Sequence, residues 1–251
     1  MKRIIIIFWS VAGLIFQSYC QDTTSFFYNK KWGSTKESRA EYVINEIKIA
    51  EKKFILEITN TDGTLIYKGE YSSLYPEIMN GETFYYGKNG ELVERGYFTN
   101  GYPDSLWYVL NPKTGCFDTL NYIGLKDIIK TFDDPTSFPE TFVVVEVMPS
   151  FPGKNNEIAT NKFSDFREYI KSEAYYPMLA RLRKNQGSTS VTFTIGPDGN
   201  IYDIVLSNPR NKYFDYEAVR VIRNSPKWNP GLQKNKPVPV RLRDYVGFYL
   251  E

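Results

Sequence analysis

The chain of 251 residues contains no histidine. This removes the side chain most often used as a general base near neutral pH, and the commonest metal ligand. Two cysteines, Cys20 and Cys116, are too few for a disulfide framework or a cysteine-rich metal site. The N-terminal apolar run, Ile4 to Phe16, falls short of the roughly 20 residues that span a bilayer. Charge of one sign is also lacking: the net charge is +2, which gives no general drive toward nucleic acid or acidic surfaces. No phosphate loop, dinucleotide fingerprint, zinc spacing or nucleophile elbow occurs. The sequence therefore points to no enzyme, catalytic residue, cofactor or metal.

What is present is aromatic. Twenty Tyr and seventeen Phe favour β structure, and 42% apolar residues are enough to build cores for about two modest domains. Residues 1–20 have the form of an export signal: Lys2 and Arg3, then the apolar run, then Ser18 and Cys20 ahead of Gln21. Three fates are compatible with this segment: cleavage before Gln21, lipidation of Cys20, or retention as an anchor. Tyr19 departs from the small residue usual before a lipidated Cys. Export to the periplasm follows, with membrane association under the second and third fates. After cleavage only Cys116 remains, with no second thiol to pair with and no histidine to activate it.

Residues 22–38 are polar and mixed, and read as a mobile lead-in. Residues 40–49 fit strand slightly better than helix. Strands follow at 54–59, 65–71, 82–86, 92–98 and 106–110, separated by Asp62-Gly63, Asn89-Gly90 and Asn100-Gly101. Those pairs tolerate the positive φ that two-residue hairpins require. The phrases 66–71, 79–86 and 93–101 form a weak internal repeat, each an aromatic strand with glycine at its tight points. They resemble MORN-like repeats, so 21–110 is expected to be a β-rich MORN-like domain built as hairpins or a meander. Residues 111–140, with Pro112, Pro135 and Pro139, read as a linker that holds a short helix or strand in the apolar run Ile123 to Phe132.

The last part, 141–251, alternates strand and helix patterns. Phe142 to Val147 is a β-branched run and reads as a strand. Phe163, Phe166 and Ile170 share a helical face, with Asn161 or Ser164 as the cap. Pro177 is placed as the first residue of a second helix, ended at Gln186-Gly187. Val191, Phe193 and Ile195 alternate before the turn Pro197-Asp198-Gly199-Asn200, and residues 201–206 pair back. Asp215 reads as the cap of a helix presenting Ala218, Val219, Val221 and Ile222. Trp228 lies between Pro226 and Pro230 as a plug. Residues 237–250 read as the last strand, with Val238, Val240, Leu242 and Tyr245 alternating and Pro239 deleting one backbone donor.

Tyr176-Pro177, Ala180, Gly187, Asp198-Gly199, Asp203, Asp215, Glu217-Ala218, Pro226, Trp228, Pro230-Gly231 and Pro237-Val238 together resemble the TonB C-terminal domain family in its Bacteroidetes-type form, over residues 141–250. The resemblance implies an α+β fold: a three-stranded antiparallel sheet with helices packed on it, preceded here by the mostly-β domain. It also implies a cell-envelope module that binds an outer-membrane or periplasmic protein, or a receptor peptide, by strand addition. The alternative is a TonB-type energy transducer. Residues carried over as partner-binding are Tyr176, Pro177, Val238, Val240, Arg241, Leu242, Arg243 and Tyr245. Core packing competes as the role of Val240, Leu242 and Tyr176, and solvated edge charge as that of Arg241 and Arg243. Glu217, beside Arg220 and Arg223, reads as an ion-pair residue.

Overall fold

A computed structural model describes residues 22–131, 133–153, 163–209 and 211–250. The export-signal reading of residues 1–20 and the possible cap at Asn161 lie outside these residues. The chain divides into two compact units, Met1–Asn121 and Tyr122–Glu251.

The first unit is one sheet of eight strands in chain order: β1 (Asp22–Tyr28), β2 (Tyr42–Ala50), β3 (Lys53–Asn60), β4 (Leu65–Leu74), β5 (Glu77–Tyr86), β6 (Leu92–Thr99), β7 (Tyr102–Leu110) and β8 (Phe117–Asn121). Every neighbouring pair is antiparallel. The three expected turns are hairpins, and Gly63, Gly90 and Gly101 all take positive φ there. Residues 22–38 are not a free lead-in. Seven of them form β1, which pairs with β2 from Asp22↔Lys48 to Tyr28↔Tyr42. The expected linker is also partly sheet, because β8 pairs with β7.

One face of this sheet carries the core: Leu56, Ile58, Tyr67, Tyr71, Tyr85, Phe98 and Trp107 are buried. The side chains cover one another. Tyr67 and Tyr85 lie 4.9 Å apart across the β4–β5 pair, and the two hydroxyls of Tyr67 and Tyr71 are hydrogen bonded at 2.9 Å. Glycine makes room for the rings. A Cβ on Gly96 would stand 2.1 Å from the Trp107 indole, so this strand position must stay bare.

The second unit contains α1 (Leu125–Ile128), β9 (Ile129–Lys130), α2 (Phe166–Glu173), α3 (Met178–Leu182), β10 (Gly187–Ile195), β11 (Ile201–Leu206), α4 (Lys212–Arg223), β12 (Gly231–Gln233), β13 (Lys236–Val238) and β14 (Val240–Phe248). Its main sheet has the order β14-β10-β11-β9. The three antiparallel strands match expectation, and β9 adds a short parallel strand from within the expected linker. Val191, Phe193 and Ile195 of β10 and Val240, Val246 and Phe248 of β14 are buried. Against them pack α4, with Ala218, Val219 and Ile222 fully buried, and an aromatic cluster in which Trp228 lies 4.9 Å from Phe166 and 6.0 Å from Phe193. Each such ring pair adds about 0.5–1.5 kcal/mol beyond area burial.

Several local expectations are corrected. Asp165, not Ser164, caps α2, accepting from the Glu168 N–H at 2.9 Å. Pro177 occupies the position just before α3. Gly187 opens β10 rather than ending a helix, and Lys184 takes the left-handed conformation after α3. Asn211 caps α4, accepting from Tyr213 and Phe214 N–H groups. Asp215 instead sits in the first turn and accepts from the Thr189 hydroxyl at 2.9 Å. Phe142 to Val147 forms no strand: Val143 and Val144 are 67% and 78% exposed, and isolated bridges at Phe142 and Val147, with hydrogen bonds between Glu146 and the turn at Gln233 and Lys234, tie this stretch down. Its β-branched composition suits a sheet, but the chain leaves the ladder after one residue.

Two clusters built on buried charged residues tie segments of the second unit together. The Glu217 carboxylate accepts two hydrogen bonds from Arg220 at 2.6 and 2.7 Å, the Tyr122 hydroxyl at 2.6 Å and the Tyr175 N–H at 2.6 Å. Burial alone lowers the Arg220 pKa, but the paired carboxylate outweighs it and moves the pKa above its ordinary value. Asp203 sits at a bulge of β11 with φ 49°, where the β10 register shifts between Thr192 and Thr194. Its carboxylate accepts from Lys130 at 2.5 Å and from the Ser137 hydroxyl at 2.6 Å. Burial works to raise its pKa, and these partners more than reverse that, holding it below the usual carboxylate value.

Candidate docking edge

β14 lies at the edge of its sheet, paired along its length with β10 from Gly187↔Phe248 to Ile195↔Val240, with an isolated parallel bridge from Phe142 to Val240 on its outer side. Even-numbered side chains face the helices and odd-numbered ones face the opposite side, because side chains alternate along a strand. Hydrogen-bonding direction alternates as well. The Arg241 N–H points outward and reaches the Phe142 carbonyl at 2.7 Å. By the same alternation, Arg243, Tyr245 and Gly247 direct their main-chain groups away from β10.

Each residue singled out in the sequence now has a place. Val240 is fully buried and starts β14, so packing is its role. Leu242 is half-buried opposite Phe193. Arg241 is half-buried, with its N–H already engaged. Arg243 is exposed and donates from Nε to the Thr192 hydroxyl at 3.3 Å. Tyr245 is 59% exposed, on the side opposite the expected core pattern. Its N–H is held by the Asp244 carboxylate at 2.7 Å. Val238 belongs to a different strand, β13, paired with Gly231 of β12. Pro239 falls between β13 and β14, so it interrupts no ladder. It ends one strand and its carbonyl accepts the Phe142 N–H at 2.9 Å.

Tyr176 and Pro177 are set back from the edge. Pro177 is buried. The Tyr176 ring meets Phe214 and Phe248 edge-on at 5.6 and 6.0 Å, and its hydroxyl donates to the Asn185 carbonyl. Burial raises its pKa, against the opposing charge of Arg181. Tyr176 nonetheless lines a groove of about 420 Å³ that runs between β14 and α2. Ile170, Ala174 and Phe248 supply further apolar lining, while Arg167 and Lys171 supply charge. Sequence reasoning missed the two α2 cations; their spacing of four residues on an exposed helical face was the available signal.

The arrangement offers main-chain donors and acceptors along an edge beside a part-apolar groove. That is the equipment for accepting an extended chain, and it contains no paired acid–base or nucleophilic machinery.

Residues 172–250 match the family described as Gram-negative bacterial TonB protein C-terminal. This stretch is a TonB C-terminal domain, preceded by the eight-stranded meander; MORN repeats are not identified in the chain. Such domains bind outer-membrane receptor proteins and are typically non-enzymatic, which suggests the cell envelope and implies protein interaction or energy transduction. No curated protein and no solved structure gives a significant match to the chain. No described helix is long and apolar enough to cross a membrane.

Proposed function

We propose that the second unit is a docking module of the cell envelope that takes an extended segment of an outer-membrane or periplasmic protein onto the β14 edge. One observation carries the reading: a TonB-type domain whose last strand ends the sheet, with the outward main-chain groups of Arg243, Tyr245 and Gly247 beside a groove. Strand addition uses main-chain hydrogen bonds for affinity and alternate side chains for selectivity. Arg243 and Tyr245 act at the contact. Leu242 and Val240 hold the strand against the core, and Tyr176 forms the groove wall. The MORN-like first unit displays this module, and residues 1–20 direct its export; a mature chain that begins at Gln21 is the expected mass.

The test is binding of N-terminal segments of outer-membrane receptors to the full chain. Tyr245→Pro deletes one outward N–H and leaves the β10 ladder in place. It should abolish binding of segments that Tyr245→Ala still binds. Equal binding by both variants would count against strand addition.

A further inference from the structure

We propose that a cleft at the open end of the β10–β14 pair binds a neutral saccharide. The cleft has a volume of about 460 Å³, within the range of small-molecule sites. It lies on the β10 side of β14, so its occupant does not rest on the strand-docking reading.

The cleft exists because β11 is shorter than β10. β14 accompanies β10 from Gly187 to Ile195, whereas β11 joins it only at Val191↔Leu206. The chain leaves β11 with the Ser207 N–H on the Ser190 carbonyl at 3.0 Å, then runs to Asn211 at the start of α4. The main chain of Ser190 therefore faces the β11 side. By alternation Ser188 directs its N–H and C=O the same way, where no described strand opposes them. Side chains add further hydrogen-bonding groups. The Gln186 amide oxygen holds the Leu250 N–H, and the Asn211 amide oxygen holds the Tyr213 and Phe214 N–H groups. Each of these side chains keeps its NH2 as a donor. Across the pair from Tyr245, the buried hydroxyl oxygen of Ser190 has no hydrogen-bond partner among the described residues, and a ligand hydroxyl supplies one.

The wall is aromatic. Tyr245 and Tyr249 are 59% and 66% exposed, and both line the cleft. Gly247 stands between them, and a Cβ there would lie 2.8 Å from the Tyr249 ring. The bare position lets that ring rest against the strand on the face that carries Tyr245. Two exposed rings beside hydroxyls and amides suit a ligand with hydroxyl edges and C–H faces, because the electron-rich faces of the tyrosines attract polarised C–H bonds. Charge selects against anions. No Lys or Arg is among the described residues that line the cleft. Its one carboxylate, Asp215, is buried and accepts the Thr189 hydroxyl at 2.9 Å and the Asn211 N–H at 3.1 Å. That negative charge offsets the pull of the α4 N-terminus and disfavours a phosphate, sulfate or uronate.

The test titrates the full chain with maltotriose, cellotriose and chitotriose, and with trigalacturonate as the anionic counterpart, by ligand-observed saturation-transfer NMR. At least one neutral trisaccharide should bind with a Kd of about 1 mM, unchanged at about 0.5 M salt. Tyr249→Ala should weaken that binding about fivefold to tenfold. Its side chain is exposed and follows the end of β14, so the fold is retained. Ser188→Trp, at an exposed position, should fill the cleft and abolish binding, with an unfolding midpoint that matches the native chain. If Ser188→Trp does not fold, Tyr249→Ala decides alone. No binding of any neutral trisaccharide at about 20 mM would overturn the proposal, as would native-like affinity in either folded variant. Preferential binding of trigalacturonate that fades with salt would overturn the neutral class.

Discussion

The carbonyl of Gly199 accepts the N–H of Trp228 at 2.9 Å, joining the β10–β11 hairpin to the proline-flanked plug that follows α4. Gly199 has φ 79°, and a Cβ there would stand 2.1 Å from the Trp228 carbonyl oxygen. Gly199→Ala therefore imposes both a strained backbone and a backbone clash. The expected cost is about 3 kcal/mol, read as a lowered urea midpoint for the second unit. A change within 0.5 kcal/mol would show that the turn relaxes at little cost.

Glu217 and Arg220 form a buried pair whose partners come from three separate segments: Tyr122, the α2–α3 junction and α4. Removing one charge leaves the other buried without its counter-ion. Glu217→Gln should cost about 3–5 kcal/mol, measured by denaturant unfolding. Replacing both residues by Met should recover part of this loss, since the orphaned guanidinium is then gone while the Tyr122 hydroxyl and Tyr175 N–H still lose their acceptor.

Asp203 gives a pH signature. Its folded pKa lies below the ordinary 3.8, because Lys130 and Ser137 outweigh the effect of burial. A depressed carboxylate contributes stability that is fully present above its unfolded value and is lost as pH falls through the folded one. The melting temperature of the native chain should therefore drop more steeply below about pH 4 than that of Asp203→Asn, which should be less stable at pH 7. Parallel curves for the two proteins would contradict the ion-pair account.

Much of this architecture was legible because local chemistry forced it. Asp62-Gly63, Asn89-Gly90 and Asn100-Gly101 occupy turns that need positive φ, and Val191, Phe193 and Ile195 alternate because one face of β10 is buried. The missed strands have no such signal. β1 and β8 expose most of their residues at the two ends of the sheet, so neither shows a clean apolar period. The opposite error occurred at Val143 and Val144: strand-forming residues that long-range bridges hold out of the ladder. At the docking edge, the strand and its arginines were readable from sequence. The position of Tyr245 on the outer face, the separate strand at Val238 and the bridge at Phe142 were not, because each depends on where the chain turns at Pro239 or on contacts almost a hundred residues apart in sequence.

Asp244 predicts a gain rather than a loss. Its carboxylate holds the Tyr245 N–H at 2.7 Å and lines the groove. Asp244→Ala releases that donor, so a receptor segment that docks on β14 should bind about threefold to fivefold tighter. Weaker binding would mean that the carboxylate contacts the partner directly.

The most direct test of strand docking is amide hydrogen exchange along β14 in the full chain, with and without a bound receptor segment. The Arg241 amide should be protected in both states, because Phe142 already holds it. The Arg243 and Gly247 amides should exchange quickly alone and slow markedly on binding. Protection that appears elsewhere on the domain, with Arg243 and Gly247 unchanged, would contradict the account.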